Sequence, residues 1–182
     1  MSVRPPFTPG PLLREFPRDT WENVRQEEST VRLLLARHGG FRERVKGLLK
    51  STEDALNGEQ SPPDFCYELA TELHYFIPLL EGHHQAESAR LYPRLIKHFP
   101  ETKLKFDTLE EDHHRLDRAI DSLGKMPEFL MTHAPTLEAF IKTCEDLWTE
   151  LKTFQLLLNR HLDDEEDLVI PILLKLNLSL DL

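Results

Sequence analysis

Apolar residues recur at helical spacing along almost the whole chain, and proline, glycine and small polar residues gather where this pattern breaks. The pattern predicts four long helices, at about 19–50, 64–99, 101–124 and 136–175. Connecting loops are expected at STEDALNGEQSPP, residues 51–63, and at KMPEFLMTHAP, residues 125–135. Asp19 and Glu22 have the spacing of a capping box, and Pro78 is expected to bend the second helix. Nothing alternates with period two, so no strand is predicted.

One stretch of the second predicted helix recurs in the fourth, 78 residues later. Both copies have an apolar stripe, a His-x-x-x-Glu pair and a proline six residues after the acid. The copies are Phe76, Leu79, Leu80, His83, Glu87, Leu91 and Pro93, and Phe154, Leu157, Leu158, His161, Glu165, Val169 and Pro171. A helix presents residues at these spacings on one inward face. A repeated pair of ligand-type residues therefore predicts a repeated metal site.

The first and third predicted helices each add one histidine to an apolar face, His38 and His113. His113 has apolar neighbours at helical spacing, whereas His114 has acidic ones, so His113 is expected to face inward and His114 outward. The same test does not decide whether His83 or His84 faces inward, since apolar residues flank each of them at helical spacing. Alignment with His161 favours His83, and His84 is retained as a residue that supports the ligands without joining them.

Two helical hairpins, first with second and third with fourth, predict an all-α, up-down-up-down four-helix bundle. Residues 1–18 form a proline-rich extension, and residues 19–182 form the bundle domain. The six inward residues would meet at the centre of the bundle. Four histidines and two carboxylates are costly to bury unless something pairs with them, and they suit first-row transition metals.

Composition narrows the classes of protein further. A length of 182 residues fits one domain, and a net charge of −10 argues against nucleic acid and anionic membranes as partners. Cys66 and Cys144, at equivalent places in the repeat, are expected to be buried and reduced. The proline-rich start lacks the apolar run of a secretory signal and no later stretch is long enough to span a membrane, so a cytoplasmic location is expected.

In order and spacing, these motifs resemble those of the hemerythrin-like, or HHE cation-binding, proteins. The resemblance covers about residues 21–175 and rests on His38, HHQAESARLYP at 83–93, EEDHHRL at 110–116 and HLDDEEDLVIP at 161–171. It implies a centre of two non-haem iron ions bridged by Glu87, Glu165 and an oxo or hydroxo group. The implied nitrogen ligands are His38, His83, His113 and His161. Zinc or manganese remain alternative metals.

The chain departs from the oxygen-carrying hemerythrins at two positions. Asp117 stands where their third helix has the second histidine of a His-x-x-x-His pair, and Glu165 replaces a later bridging aspartate. The loss of a nitrogen ligand implies more open positions on the metals, and Asp117 remains a possible extra ligand. In the run Asp163–Asp167, only Glu165 is expected to point inward. Tyr92, which the repeat replaces with Ile170, is expected to be a core or lid residue.

The resemblance favours a protein that binds or senses oxygen, nitric oxide or peroxide over a dedicated enzyme. The alternatives are a di-iron enzyme of the stress response, for peroxide decomposition or iron–sulfur cluster repair, and a bundle that stores metal or is held together by it. The sequence leaves open the physiological ligand, any protein partner and the oligomeric state.

Overall fold

The computed structural model describes residues 3–8, 10–23 and 30–177, and these contain helices and no strand. Three short turns of other helix types join the α-helices. They are a π-helical turn at Glu87–Leu91 and 3-10 turns at Arg18–Asn23 and Pro100–Thr102. The α-helices of the described residues are α1 Pro11–Glu15, α2 Thr30–Leu56, α3 Pro62–Ala86, α4 Tyr92–His98, α5 Lys103–Gly124, α6 Met126–His133 and α7 Leu137–Leu176.

The ends of α3 and α7 follow from their sequence. The Ser61 hydroxyl accepts a hydrogen bond from the Asp64 N–H at 3.3 Å, and prolines occupy the first turn of α3, where the missing N–H costs nothing. Thr136 caps α7 in the same way through the Ala139 N–H, at 3.2 Å. Between α2 and α3 the chain reverses at Gly58, whose φ of 73° favours glycine. The two helices are therefore joined by a short turn.

The four predicted helices are present, but two loops were predicted wrongly. The first predicted helix continues past Lys50 to Leu56, because Ser51, Thr52 and Ala55 still face the core. The segment at 125–135 contains α6, whose Pro127 and Leu130 are buried. Its proline lies in the first helical turn, where proline initiates a helix rather than ending one.

The predicted start of the first helix at Asp19 or Thr20 falls in the 3-10 turn Arg18–Asn23. Residues 24–29, and the Glu22 side chain with its expected capping contact, lie outside the described part of the chain. Pro78 lies inside α3, which continues through it. No described helix is both long and apolar enough to cross a membrane.

The long helices pack in a cycle: α2 contacts α3 and α7, and α5 contacts the same two helices. Their buried apolar side chains form two separate clusters. Each long helix passes from one cluster to the other at its histidine. The flanking pairs are Leu34 and Phe41 on α2, Leu80 and Leu91 around the end of α3, Leu109 and Leu116 on α5, and Leu162 and Leu168 on α7. A polar layer therefore separates the two halves of the core.

The N-terminal segment, residues 4–15, packs against the second apolar cluster and against residues beside the polar layer. Phe7, Leu12 and Leu13 contact the second apolar cluster, and α1 packs against α7. The Arg4 guanidinium bonds to Asp112 at 2.6 Å and also to Asp164, two buried carboxylates beside the layer. The domain boundary at residue 19 stays a prediction, but the residues before it contact the helices directly.

Candidate metal centre

The polar layer brings together all six predicted site residues and adds His84. Each of the seven side chains is 3% exposed or less. They form two groups whose ligand-type atoms lie within 4.8 Å of one another: His38, His83, Glu87 and Glu165, and His84, His113 and His161. All four long helices contribute to the layer.

The first group is tightly spaced. The Nε2 atoms of His38 and His83 are 3.1 Å apart. His83 Nε2 lies 3.1 Å from Glu87 Oε1, and His38 Nε2 lies 3.3 Å from Glu165 Oε2. Two imidazole nitrogens and two carboxylate oxygens thus point at one small volume, which is the arrangement of donors around a cation.

The two carboxylates also face the second group. Glu87 Oε2 lies 3.5 Å from His113 Nε2, while its other oxygen faces His83. Glu165 Oε2 lies 3.8 Å from His161 Nε2. Glu87 and Glu165 therefore stand between the two groups, where a carboxylate can bridge two ions.

Several atoms of the layer are buried without a hydrogen-bond partner among the described residues. They are His84 Nε2, both ring nitrogens of His161, both Glu87 oxygens and Glu165 Oε2. Each unsatisfied buried polar atom costs about 1–3 kcal/mol. Imidazole nitrogens and carboxylate oxygens are ligands of first-row transition metals, so the residues present fit the metal that the sequence predicts.

Residues around the layer fix the orientation of two of the histidines. His38 Nδ1 lies 3.0 Å from Glu166 Oε1, and Arg42 in turn donates to that oxygen at 2.8 Å. His113 Nδ1 lies 3.2 Å from the Ser88 hydroxyl. With Nδ1 occupied in this way, Nε2 of each ring faces the interior, as is usual for histidines that bind metals.

His84 is the site residue that sequence analysis left out of the ligand set. Its Nδ1 lies 2.7 Å from Asp117 Oδ1, and its ring stacks on His113 at 4.1 Å between centroids. Adjacent residues point about 100° apart, but α3 has two neighbouring helices. His83 faces α2 and His84 faces α5, so both rings reach the layer. Asp117 thus contacts the ring of His84. The layer contains five histidines, one more than the four that the resemblance implied as nitrogen ligands.

Tyr92 also contacts the layer. Pro93 has no N–H, and its ring would clash with the carbonyl of Ala89 in a regular helix. A π turn directly precedes it, in which the Tyr92 N–H bonds to the Glu87 carbonyl five residues back. The buried Tyr92 hydroxyl donates to Glu165 Oε1 at 2.9 Å and lies 3.3 Å from His113 Nε2. The signal in the sequence was a hydroxyl at a core position, which requires a partner.

Burial corrects two further expectations. Leu79, predicted to be on the inward stripe, is 53% exposed, whereas its repeat equivalent Leu157 is buried. Asp164 and Glu166 are buried beside Glu165, because Arg4, Arg42 and Arg160 neutralise them. His113 is buried and His114 exposed, as predicted, and both cysteines are buried free thiols.

The pKa values of the histidines and glutamates in the layer reflect their burial and their close spacing. Burial disfavours the His38 imidazolium, but the nearby carboxylates of Glu165 and Glu166 outweigh it and raise the pKa of His38 to about 9. Burial also opposes charge on His113, but Glu110 and Glu87 raise its pKa to about 9. Burial and the charge of Glu165 raise the pKa of Glu87. Burial lowers the pKa of His83, His84 and His161, so these three rings favour the neutral form in which imidazole binds a metal.

The sequence matches the family model of the hemerythrin HHE cation-binding domain over residues 12–173. Since this match spans most of the chain, the protein belongs to the hemerythrin HHE cation-binding family. No curated protein and no solved structure matches the chain significantly. The family match indicates that the protein binds a cation. The buried groups of histidine and glutamate, which can hold a metal, are consistent with it.

Proposed function

We propose that the protein is a non-haem di-iron protein that binds or senses oxygen, nitric oxide or peroxide. One ion would be held by His38, His83, Glu87 and Glu165, and the other by His84, His113 and His161, with both glutamates as bridges. The single observation that carries the proposal is the set of buried histidine and glutamate atoms for which the described part of the chain provides no hydrogen-bond partner. The cyclic packing of the long helices supports an up-down-up-down bundle around this centre.

An iron pair supplies redox-linked binding of small ligands. The apolar clusters on both sides of the layer shield it from water. Glu166 and Ser88 hold the rings of His38 and His113 in place. The Tyr92 hydroxyl fixes the Glu165 carboxylate by donating to it. Rigid side chains held by neighbours are what a precise metal centre requires.

Peroxide decomposition is the second candidate function. The observation that favours it is the buried Tyr92 hydroxyl, which places an exchangeable proton 2.9 Å from Glu165 at the edge of the polar layer. Cleavage of an O–O bond consumes protons, and a buried group within hydrogen-bond reach of the centre can supply one. Sustained turnover of peroxide would support this candidate over reversible binding.

Anaerobic reconstitution with ferrous iron, followed by metal analysis, tests the proposal. Two irons per chain are expected from the two groups, with new near-ultraviolet absorption after oxygen is admitted. Zinc alone with a featureless spectrum, or no iron uptake, would contradict the di-iron proposal and favour a structural or storage role. Addition of nitric oxide and of peroxide to the loaded protein then separates reversible binding from turnover.

A further inference from the structure

A surface pocket lies between α2 and α3 and reaches His83, one residue of the candidate metal centre. It has a volume of 460 Å³, and Phe41 and His83 are among its lining residues. The two rings are adjacent, with centroids 5.1 Å apart, and His83 is 3% exposed. On its other side the same imidazole places Nε2 3.1 Å from Glu87 Oε1. A single side chain therefore separates the pocket from the first group of ligands.

The charge around this pocket is opposite to that of the whole protein. The chain carries a net charge of −10, yet the pocket is lined by Arg37, Arg44 and Arg90 and, among the described residues, by no carboxylate. Arg44 pairs with Glu72 at 3.1 Å. For the exposed Arg37 and Arg90, the described residues provide no ion pair or hydrogen bond. Unpaired arginines around a cleft raise the local concentration of anions.

Glycines keep the pocket open. Gly40 of α2 and Gly82 of α3 line it, and a Cβ atom at either position would meet nothing within 4 Å. Glycine inside a helix costs about 1 kcal/mol relative to alanine. Larger side chains at these two positions would therefore fill the pocket without disturbing the packed core.

We propose that this pocket is the entrance through which small monovalent anions, of the size of azide, nitrite or hydroperoxide, reach the metal centre. The inference rests on the proposed function, since it assigns a ligand class and a route to the same centre. The arginines attract the anion, and the Phe41 and His83 rings limit its size. The volume of 460 Å³ accommodates such ions with their water.

The first test narrows the pocket in iron-loaded protein. Azide is the probe, and stopped-flow absorbance follows its association with the iron centre. Gly82→Leu and Gly40→Leu are expected to slow association about tenfold, which corresponds to about 1.4 kcal/mol in the barrier. Iron content and the equilibrium Kd for azide should stay unchanged, because a blocked entrance slows association and dissociation alike. Two variants on different helices guard against a folding defect in one of them.

Gly47→Leu is the matched control. Gly47 is also an exposed glycine of α2 with open space around its Cα, but it does not line the pocket. Its variant should bind azide at the rate of the unaltered protein. Equal rates in all three variants, with iron loaded in each, would overturn the entrance and leave the proposed function standing. A failure of the unaltered protein to take up iron would overturn both.

The second test removes the charge. The double variant Arg37→Gln/Arg90→Gln should slow azide association about tenfold at low salt and weaken its dependence on ionic strength, because steering depends on charge. Association of nitric oxide, which is neutral, should not change. Arg94→Gln, one helical turn beyond Arg90 and outside the pocket, is the control. Equal slowing of azide and nitric oxide, or no slowing of azide, would contradict an anion-selective entrance.

Discussion

The two copies of the His-x-x-x-Glu segment place the same pair of residues in one layer but surround it differently. His161 and Glu165 lie within the uninterrupted helix α7, whereas His83 lies in the last turn of α3 and Glu87 opens the π turn. At equivalent positions the first copy has His84 for Leu162, Tyr92 for Ile170 and Ser88 for Glu166. The first copy therefore has an additional imidazole and a buried hydroxyl that the second copy lacks, so the two copies share the pair and differ in its surroundings.

Each hairpin also orients a histidine of the other. Ser88, directly after Glu87, contacts Nδ1 of His113 on α5. Glu166, directly after Glu165, contacts Nδ1 of His38 on α2. The Nδ1 contacts of both histidines thus cross between the hairpins, so the geometry of the layer depends on the packing of both halves.

Removal of a bridging carboxylate should have the largest effect and should distinguish the two copies. Glu165 approaches His38, His161 and Tyr92, whereas Glu87 approaches His83 and His113. Glu165→Ala should lose bound metal in both groups and more completely than Glu87→Ala. It should also lose the stabilisation of about 2.7 kcal/mol that a ligand at a hundredfold excess over its Kd provides.

Metal analysis and thermal unfolding with and without iron measure this difference. Glu150→Ala, an exposed glutamate on the same helix, is the control and should keep both metal and stabilisation. Equal losses for Glu87→Ala and Glu165→Ala would mean that the two copies contribute alike.

Replacement of His84 by leucine, the residue type at the equivalent position 162 of the second copy, should have the next largest effect on bound metal. His84→Leu leaves the second group with two histidines, so one of the two expected metal ions should be lost. The measurement is iron per chain after reconstitution. His114→Leu, a change of the exposed histidine on α5, should leave the iron content intact. Full loading of His84→Leu would place His84 outside the ligand set.

A smaller effect is expected at Tyr92. Tyr92→Phe keeps the ring in the core but removes the hydroxyl that donates to Glu165, so the free energy of unfolding should fall by about 1 kcal/mol. Iron content should stay the same. Chemical denaturation and metal analysis test both statements, with the exposed Tyr75→Phe as control. Loss of iron from Tyr92→Phe would indicate that the tyrosine itself binds the metal.

The smallest difference between the copies concerns their cysteines. Burial raises the pKa of the Cys144 thiol to about 12, and burial also raises that of Cys66. Since the thiolate is the reactive form, Cys144 should react with a thiol reagent more slowly than Cys66, and both much more slowly than in denatured protein. Mass spectrometry after timed alkylation identifies the order. Faster labelling of Cys144 would show that the α7 half opens more readily.

Helical period explains what could be predicted from the sequence. It places His38, His83, Glu87, His113, His161 and Glu165 on inward faces because each has apolar neighbours three or four residues away. It leaves His84 ambiguous, because the rotation of α3 between two neighbouring helices depends on tertiary packing. The burial of Asp164 and Glu166 depends on Arg4 and Arg42, more than 100 residues away in the chain, so no local pattern reveals it.

The π turn has a consequence for how the two halves correspond in space. A π turn contains one residue more than an α-helical turn, and each residue of a helix rotates the chain by about 100°. Beyond Glu87 the first copy is therefore one residue out of phase with the second. In direction, Tyr92 corresponds to Val169 rather than to Ile170, although the two sequences align without a gap. The π turn therefore sets the direction of the Tyr92 side chain, whose hydroxyl reaches Glu165 in the layer.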